Sequence, residues 1–225
     1  MLGKVVLLVG SAKHEGSSSA VLGSYLLERL AEQGLTTRTF RVHMVLRTPA
    51  NRLELVNEVN DCELFVVAYP LYVDTLPALV IETFEMLAEA RRGGYATMPR
   101  MAVIANCGFP EAQHNDNSLK ICQRFAKEAG FVWVGGLAMG MGGVVGGERL
   151  ESKGGLLRNV QAGLDEAAVA LAAGQVIPAS AAAKLSRPVM QSWLYRQVAS
   201  FGWRKWASEN RVRGQLRRKP YVEGG

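Results

Sequence analysis

Val5-Val6-Leu7-Leu8-Val9-Gly10-Ser11-Ala12-Lys13-His14-Glu15-Gly16-Ser17-Ser18-Ser19 is the stretch that decides the fold. An apolar run of strand length enters a loop rich in Gly, Ser and Lys, and an amphipathic helical pattern follows at once. A junction of this kind is how an α/β protein builds an anion site. The loop supplies hydroxyls and backbone N–H groups, and the helix N-terminus adds partial positive charge.

Two familiar phosphate loops are excluded. A P-loop needs G-x-x-x-x-G-K-[ST], but Gly10 and Gly16 are one residue too far apart and Ser17 stands where Lys should follow. A dinucleotide fingerprint needs G-x-G-x-x-G, and here Ala12 and Glu15 break it. Two readings of the loop remain open. It can wrap one terminal phosphate with Ser11, Ser17, Ser18 and Ser19 as donors and Lys13 as charge, or it is a polar connection with Ser as helix cap.

Outward from this junction, strand and helix patterns alternate. Lys4–Val9 reads as a buried strand and Ser18–Gln33 as a helix closed by Gly34. Strands follow at Thr36–Val42 (alternating, nearer an edge), Leu64–Tyr69, Arg100–Asn106 and Phe131–Met139. Between and after them, helices are expected at Leu53–Asn60, Pro77–Arg91, Asn117–Ala129 and Leu156–Ala172. Five strands alternating with helices imply a doubly wound parallel sheet, and a flavodoxin-like order 2-1-3-4-5 follows most naturally. Ala172–Ala183 reads as a linker, so the expected division is a flavodoxin-like domain over 1–175 and a helical extension over 176–225.

Charge divides the chain in the same place. From Lys184 to the end there are 10 Lys/Arg against 2 Asp/Glu, leaving 16 basic and 18 acidic residues in the first 183. A nearly neutral body argues against nucleic acid as the partner, while the basic tail suits a membrane surface, an acidic partner or nonspecific polyanion contact. Cys62, Cys107 and Cys122 lack C-x-x-C spacing, which excludes zinc-finger and four-cysteine iron–sulfur patterns and fits a reducing compartment. The apolar stretch before Gly10 is too short for a signal peptide, and none approaches the roughly 20 residues of a spanning helix. A cytoplasmic protein, at most peripheral to a membrane, is expected.

In a parallel sheet the four loops at the carboxyl ends of strands 1, 3, 4 and 5 share one rim. They are Gly10–Ser19, Tyr69–Pro77, Cys107–Glu111, and Gly140-Met141-Gly142-Gly143 with Gly146-Gly147. Together they offer a phosphate pocket, aromatic and apolar walls, and glycines that admit a flat ring.

On these residues the chain resembles the flavodoxin-like NAD(P)H-dependent oxidoreductases, the FMN reductase group. The matching pieces are Gly10-Ser11-Ala12-Lys13 with Gly16-Ser17-Ser18-Ser19, Tyr69-Pro70-Leu71-Tyr72 with Leu76-Pro77, and Asn106-Cys107-Gly108-Phe109-Pro110-Glu111. The likeness runs over roughly residues 4–173. It implies FMN as cofactor and NAD(P)H as donor, with a quinone, another flavin or a similar small molecule as acceptor, and a homo-oligomer. It places the FMN phosphate at Ser11, Lys13, Gly16, Ser17, Ser18 and Ser19. It places Pro70, Leu71, Tyr72 and Val73 along the isoalloxazine, with Asn106, Cys107, Gly108 and Phe109 flanking it. Two departures stand out: Lys13 where relatives often carry Arg, and no cysteine cluster of the kind some relatives add. The resemblance requires no side-chain acid or base, so no catalytic residue is assigned and no metal is expected. A flavodoxin-like electron carrier and a flavin-free phosphate-binding interaction protein are the rival readings.

Single residues carry paired readings. Cys107 is either a redox thiol beside the ring or a small residue in a tight loop. His114 either contacts a ligand or is surface loop before a helix. Asp74 either orients a ligand or is solvated. Tyr72 is either a stacking wall or ordinary packing. The glycines at 140–147 form a lid or a plain loop. In the tail, Arg187–Ser208 reads as a helix with Pro188 in its first turn and Met190, Trp193, Leu194 and Phe201 on one face, interrupted by Gln197. With Trp203, Trp206 and basic neighbours, it either packs on its own domain or a partner subunit, or lies on an anionic membrane.

Overall fold

The computed structural model describes residues 3–13, 16–94 and 97–218. His14 and Glu15 of the first loop, and the tail from Lys219 onward, lie outside the described residues. The chain divides into two compact units, Met1–Val189 and Met190–Gly225.

The first unit carries five parallel strands in the order β2-β1-β3-β4-β5: β1 Lys4–Val9, β2 Thr36–Arg41, β3 Leu64–Pro70, β4 Arg100–Asn106 and β5 Val132–Met139. The flavodoxin-like order expected from the alternating pattern is the observed one. Side chains alternate across the pleat and bury on both sides. Val5, Leu7 and Val9 enter one core with helices α1 (Ser18–Glu32) and α6 (Arg158–Ala172). Val6 and Leu8 enter the other, with α3 (Pro49–Asp61), α4 (Ala78–Arg91) and α5 (Asp116–Glu128). This is why the central strands read as unbroken apolar runs, whereas β2, at the edge, is largely exposed.

Three segments depart from the sequence reading. Helix α3 begins at Pro49, four residues before the apolar period starts at Leu53, because Thr48 caps it by accepting from the Asn51 N–H at 3.1 Å. A single turn, α2 (Val42–Val45), follows β2 and buries Val42 and Val45. The stretch read as a linker instead forms α7 (Ala179–Ser186), with Ala181 and Leu185 fully buried in the core that contains α6. Its approach is close: a Cβ on Gly163 would meet Leu185 Cδ1 at 2.4 Å. Ahead of it, Ile177 N–H donates to Val134 O at 2.7 Å, which occupies part of the free edge of β5. Val134 is the extra residue of a bulge opposite Met101/Ala102, where Gly135 has φ 129°.

A buried arginine ties the amino-end of the sheet together. Arg91, 2 % exposed, donates to Ala129 O (2.7 Å), Thr97 O (3.0 Å) and Gly130 O (3.0 Å), and also to Asn60 Oδ1. Its guanidinium lies 4.5 Å from the Phe131 ring centroid. It thereby satisfies carbonyls just past the end of α5 that have no intrahelical partner.

In the second unit, α8 spans Ser192–Glu209 and a short turn follows at Arg213–Gln215. The helix expected from Arg187 starts five residues later, and Pro188 lies outside it. Among the described residues no helix is long and apolar enough to cross a membrane.

Candidate functional site

The loops beyond the carboxyl ends of β1, β3, β4 and β5 meet, and hydrogen bonds between them fix the rim. Gly10 N–H donates to Ala68 O at 2.8 Å, and a Cβ there would meet Val80 Cγ2 at 2.5 Å and Tyr69 Cβ at 2.8 Å. Leu71 N–H donates to Asn106 O at 2.7 Å. Cys107 N–H donates to Met139 O (3.0 Å), while Cys107 O accepts from Gly142 N–H (2.8 Å). Met141, buried with φ 55°, donates its N–H to Phe109 O at 2.6 Å. Gly16 and Gly147 touch so closely that a Cβ on Gly147 would fall 2.4 Å from Gly16 Cα. The 140–147 loop is therefore clamped to its neighbours.

The four serines of the first loop have different tasks. Each hydroxyl carries one proton and two acceptor lone pairs. Ser17 caps α1, accepting from Ala20 N–H at 3.1 Å, and Ser11 accepts from Lys13 N–H at 3.3 Å. Both keep their own proton for another acceptor. Ser18 gives its proton to Gly142 O at 2.7 Å, so it can serve an anion only through its backbone. Ser19, buried, accepts from Asn106 Nδ2 at 2.8 Å, and the same amide donates to Tyr69 O at 3.0 Å. Asn106 is thus the bracket joining α1, β3 and β4 under the rim. Lys13 and Gly16 lie exposed beside the helix N-terminus.

After β3, Tyr72 and Thr75 exchange both backbone hydrogen bonds (3.0 and 3.1 Å) around a two-residue turn. Its central residues, Val73 (φ 48°) and Asp74 (φ 58°), are both left-handed, the geometry of a type I′ turn. The turn projects into solvent: Val73 is 97 % exposed and Tyr72 is also exposed, while Pro70 is half-buried and Leu71 buried.

After β4, Gly108 and Phe109 are exposed and Cys107 is buried. The Phe109 ring lies 4.3 Å from the His114 ring, and His114 Nε2 is 3.9 Å from Glu111 Oε2. Burial pushes the Cys107 thiol pKa up, and its Sγ accepts from Asn115 Nδ2 at 3.4 Å. A buried, protonated thiol has the character of a packing residue. Asn115 went unnoticed in the sequence. Fully buried, it also donates to Ala112 O and Met139 O, while its Oδ1 has no partner. Its only sequence signal is a polar residue just ahead of a helix.

A cavity of about 200 Å³ opens on the α1 side of the first loop, beside Gly16, Ser17, Tyr25, Glu28, Arg41 and Arg149. Arg149 is held there by Glu28 at 2.9 Å and Glu151 at 3.3 Å. Among the described residues there is no cluster of His, Cys, Asp and Glu fit to hold a metal.

The donor set fits a phosphorylated planar cofactor. The hydroxyl protons of Ser11, Ser17 and Ser19, a helix N-terminus and a lysine stand at one end of the rim. Glycine 108, with open space where its Cβ would be, and exposed aromatic side chains stand at the other.

Residues 3–143 match the family model described as NADPH-dependent FMN reductase. No curated protein matches the chain. Among solved structures, it is similar to an NADH:FMN oxidoreductase at TM-score 0.57 and 15% identity, covering 83% of this chain and 95% of that one. An NAD(P)H:quinone oxidoreductase from Methanothermobacter marburgensis gives TM-score 0.55 and 15% identity, covering 76% and 96%. A rubredoxin oxygen:oxidoreductase from Desulfovibrio gigas gives TM-score 0.51 and 16% identity over 81% of this chain, which spans only 37% of that protein. At these identities the structural likenesses establish the fold.

Proposed function

The chain belongs to the NADPH-dependent FMN reductase family, and from that premise we propose that it passes electrons from NAD(P)H through FMN to a small organic acceptor, a quinone or a second flavin. FMN, when bound, supplies the two-electron chemistry. The observation that carries the reading is the single rim on which a phosphate end and a flat-ring end meet.

The residue roles follow from the hydrogen bonds each group has left to make. Ser11 and Ser17 donate their hydroxyl protons to the phosphate, Lys13 supplies charge, and Gly16 lets the backbone pass close. Ser18 contributes its N–H, at the positive end of α1. Ser19 and Asn106 hold the loops in place from beneath. Pro70, Leu71, Tyr72 and Val73 after β3, and Cys107, Gly108 and Phe109 after β4, would hold the ring between them, and the exposed side chains of Tyr72 and Phe109 would be the ones able to contact an arriving donor or acceptor.

A homo-oligomer belongs to the same proposal. The stacked Phe84–Phe125 pair (3.9 Å) lies beside exposed Ile81 and Ile121, in a groove that also carries Glu85, Lys120, Arg124 and Glu128. Both charge signs beside an apolar strip suit a two-fold contact with a second copy. Three free, buried cysteines agree with a cytoplasmic setting.

The test is the visible spectrum of purified protein after FMN is added and excess removed. Retained flavin bands bleached by NADH or NADPH are expected. Flavin retained but unbleached would favour an electron carrier, and no retained flavin would overturn the proposal. Light scattering on the same sample reads the oligomer.

A further inference from the structure

The second unit exposes aromatic surface that the reductase reading does not use. Trp193, Phe201 (72 %), Trp203 and Trp206 are all more than half exposed. In α8 each residue advances about 100° around the axis. On that projection Phe201, Leu194, Val198, Gly202, Tyr195, Trp206, Ala199 and Trp203 fall within one broad arc. The narrower opposite arc holds Arg196, Ser200, Arg204, Gln197 and Ser208, with Trp193 and Ala207 among them. Two charges enter the apolar arc, Lys205 and Glu209, four residues apart and within 4.0 Å of each other in the last turns. Phe201 and Trp203 stand at the two edges of the apolar arc and Trp206 inside it, while Trp193 falls in the middle of the polar arc.

Charge identifies the occupant of this face. Residues 184–225 hold 10 basic and 2 acidic residues, whereas the preceding 183 are nearly balanced. An apolar arc bounded by aromatic rings and embedded in cations matches the interface of an anionic bilayer. The rings enter the boundary between headgroups and acyl chains while Lys and Arg remain among the phosphates.

We propose that α8 docks the protein on anionic membrane surfaces, with Leu194, Val198, Phe201, Trp203 and Trp206 entering the lipid and Arg196, Arg204, Arg211 and Arg213 facing the headgroups. Taken with the reductase reading, on which this extension rests, the docking brings the enzyme to membranes that hold lipid-dissolved acceptors such as quinones. The docking itself is independent of flavin.

The experiment is flotation of the full-length protein with phosphatidylcholine vesicles, with and without about one-third phosphatidylglycerol. Flotation with the anionic vesicles alone is expected, together with a blue shift of tryptophan emission. F201S/W206S should lower partitioning at least tenfold, on the order expected for two inserted rings. R204S and R213S should each lower it about fivefold, and added salt should weaken binding of the unaltered protein. All four positions are exposed, and unchanged circular dichroism checks that the fold is kept. Failure to float with anionic vesicles overturns the proposal, as does flotation insensitive to these substitutions. A mass doubling that F201S/W206S abolishes, without flotation, would assign the face to a second copy and overturn it too. FMN retention on the same samples separates the two readings. A colourless protein that floats leaves the docking standing, and a flavin-loaded protein that does not float removes the docking alone.

Discussion

Replacing Val73 by Asn isolates the backbone strain in the rim turn. Val73 is a β-branched residue at φ 48°, followed by Asp74 at φ 58°, and their turn is closed by reciprocal Tyr72–Thr75 hydrogen bonds. A left-handed conformation costs an L-residue about 1–2 kcal/mol, and Val is among the worst suited to it. Asn tolerates it because its short polar side chain bonds locally. At 97 % exposure the Val side chain contributes almost no packing that the substitution could lose. Val73→Asn should therefore stabilise the protein by about 1 kcal/mol, raising Tm by about 2–4 °C for a chain of this size. Asp74→Gly is the control. Asp already accepts the conformation, and the relief from Gly is offset by about 0.5–1 kcal/mol of added chain entropy, so its net change should be near zero. Urea unfolding followed by circular dichroism, with an unchanged m-value, reads both variants. A Val73→Asn protein no more stable than the parent would refute the strain argument, and a gain confined to Asp74→Gly would place the strain at the wrong residue.

Arg91→Met should cost about 3–5 kcal/mol, because it leaves Ala129 O and Gly130 O buried, and Thr97 O and Asn60 Oδ1 partly buried, without their shared donor; a loss below about 1 kcal/mol in urea unfolding would contradict it. Ser17→Ala should lower stability by about 0.5–2 kcal/mol through the lost cap and also weaken FMN retention. Ser18→Ala should loosen the 140–147 loop, seen as faster amide exchange there, with a smaller effect on FMN because its proton goes to Gly142 O. The buried thiols make stability fall in alkali. Burial pushes Cys62 and Cys122 up to about 12 from 9.0, so from about pH 9 the unfolded chain releases protons that the folded one keeps. Each thiol should then subtract about 1.4 kcal/mol per pH unit up to its folded value. Cys122→Ala should flatten the slope by one such share in chemical denaturation at pH 9 to 11.

The sequence by itself determined the sheet. Period and punctuation are local, so a run such as Leu64–Tyr69 or the Gly closing a helix is visible without knowing its neighbours, and handedness restricts the rest. It also determined which four loops meet, since parallel strands all end on one side. Tertiary structure decided what each side chain does there. Five hydroxyl and amide groups in 11–19 and 106 look equivalent in one dimension. Only the approach of Gly142 O to Ser18 shows that this proton is spent inside the protein, and only the approach of Asn106 to Ser19 ties that hydroxyl to the neighbouring strands. The same holds for the stretch after Ala172. Its small residues read as a linker because they lack apolar bulk, yet smallness is what lets α7 approach Gly163 and bury Leu185. Hydrogen-bond partners distant in the chain, and the room a missing Cβ leaves, are properties of the packed molecule, and no local pattern encodes them.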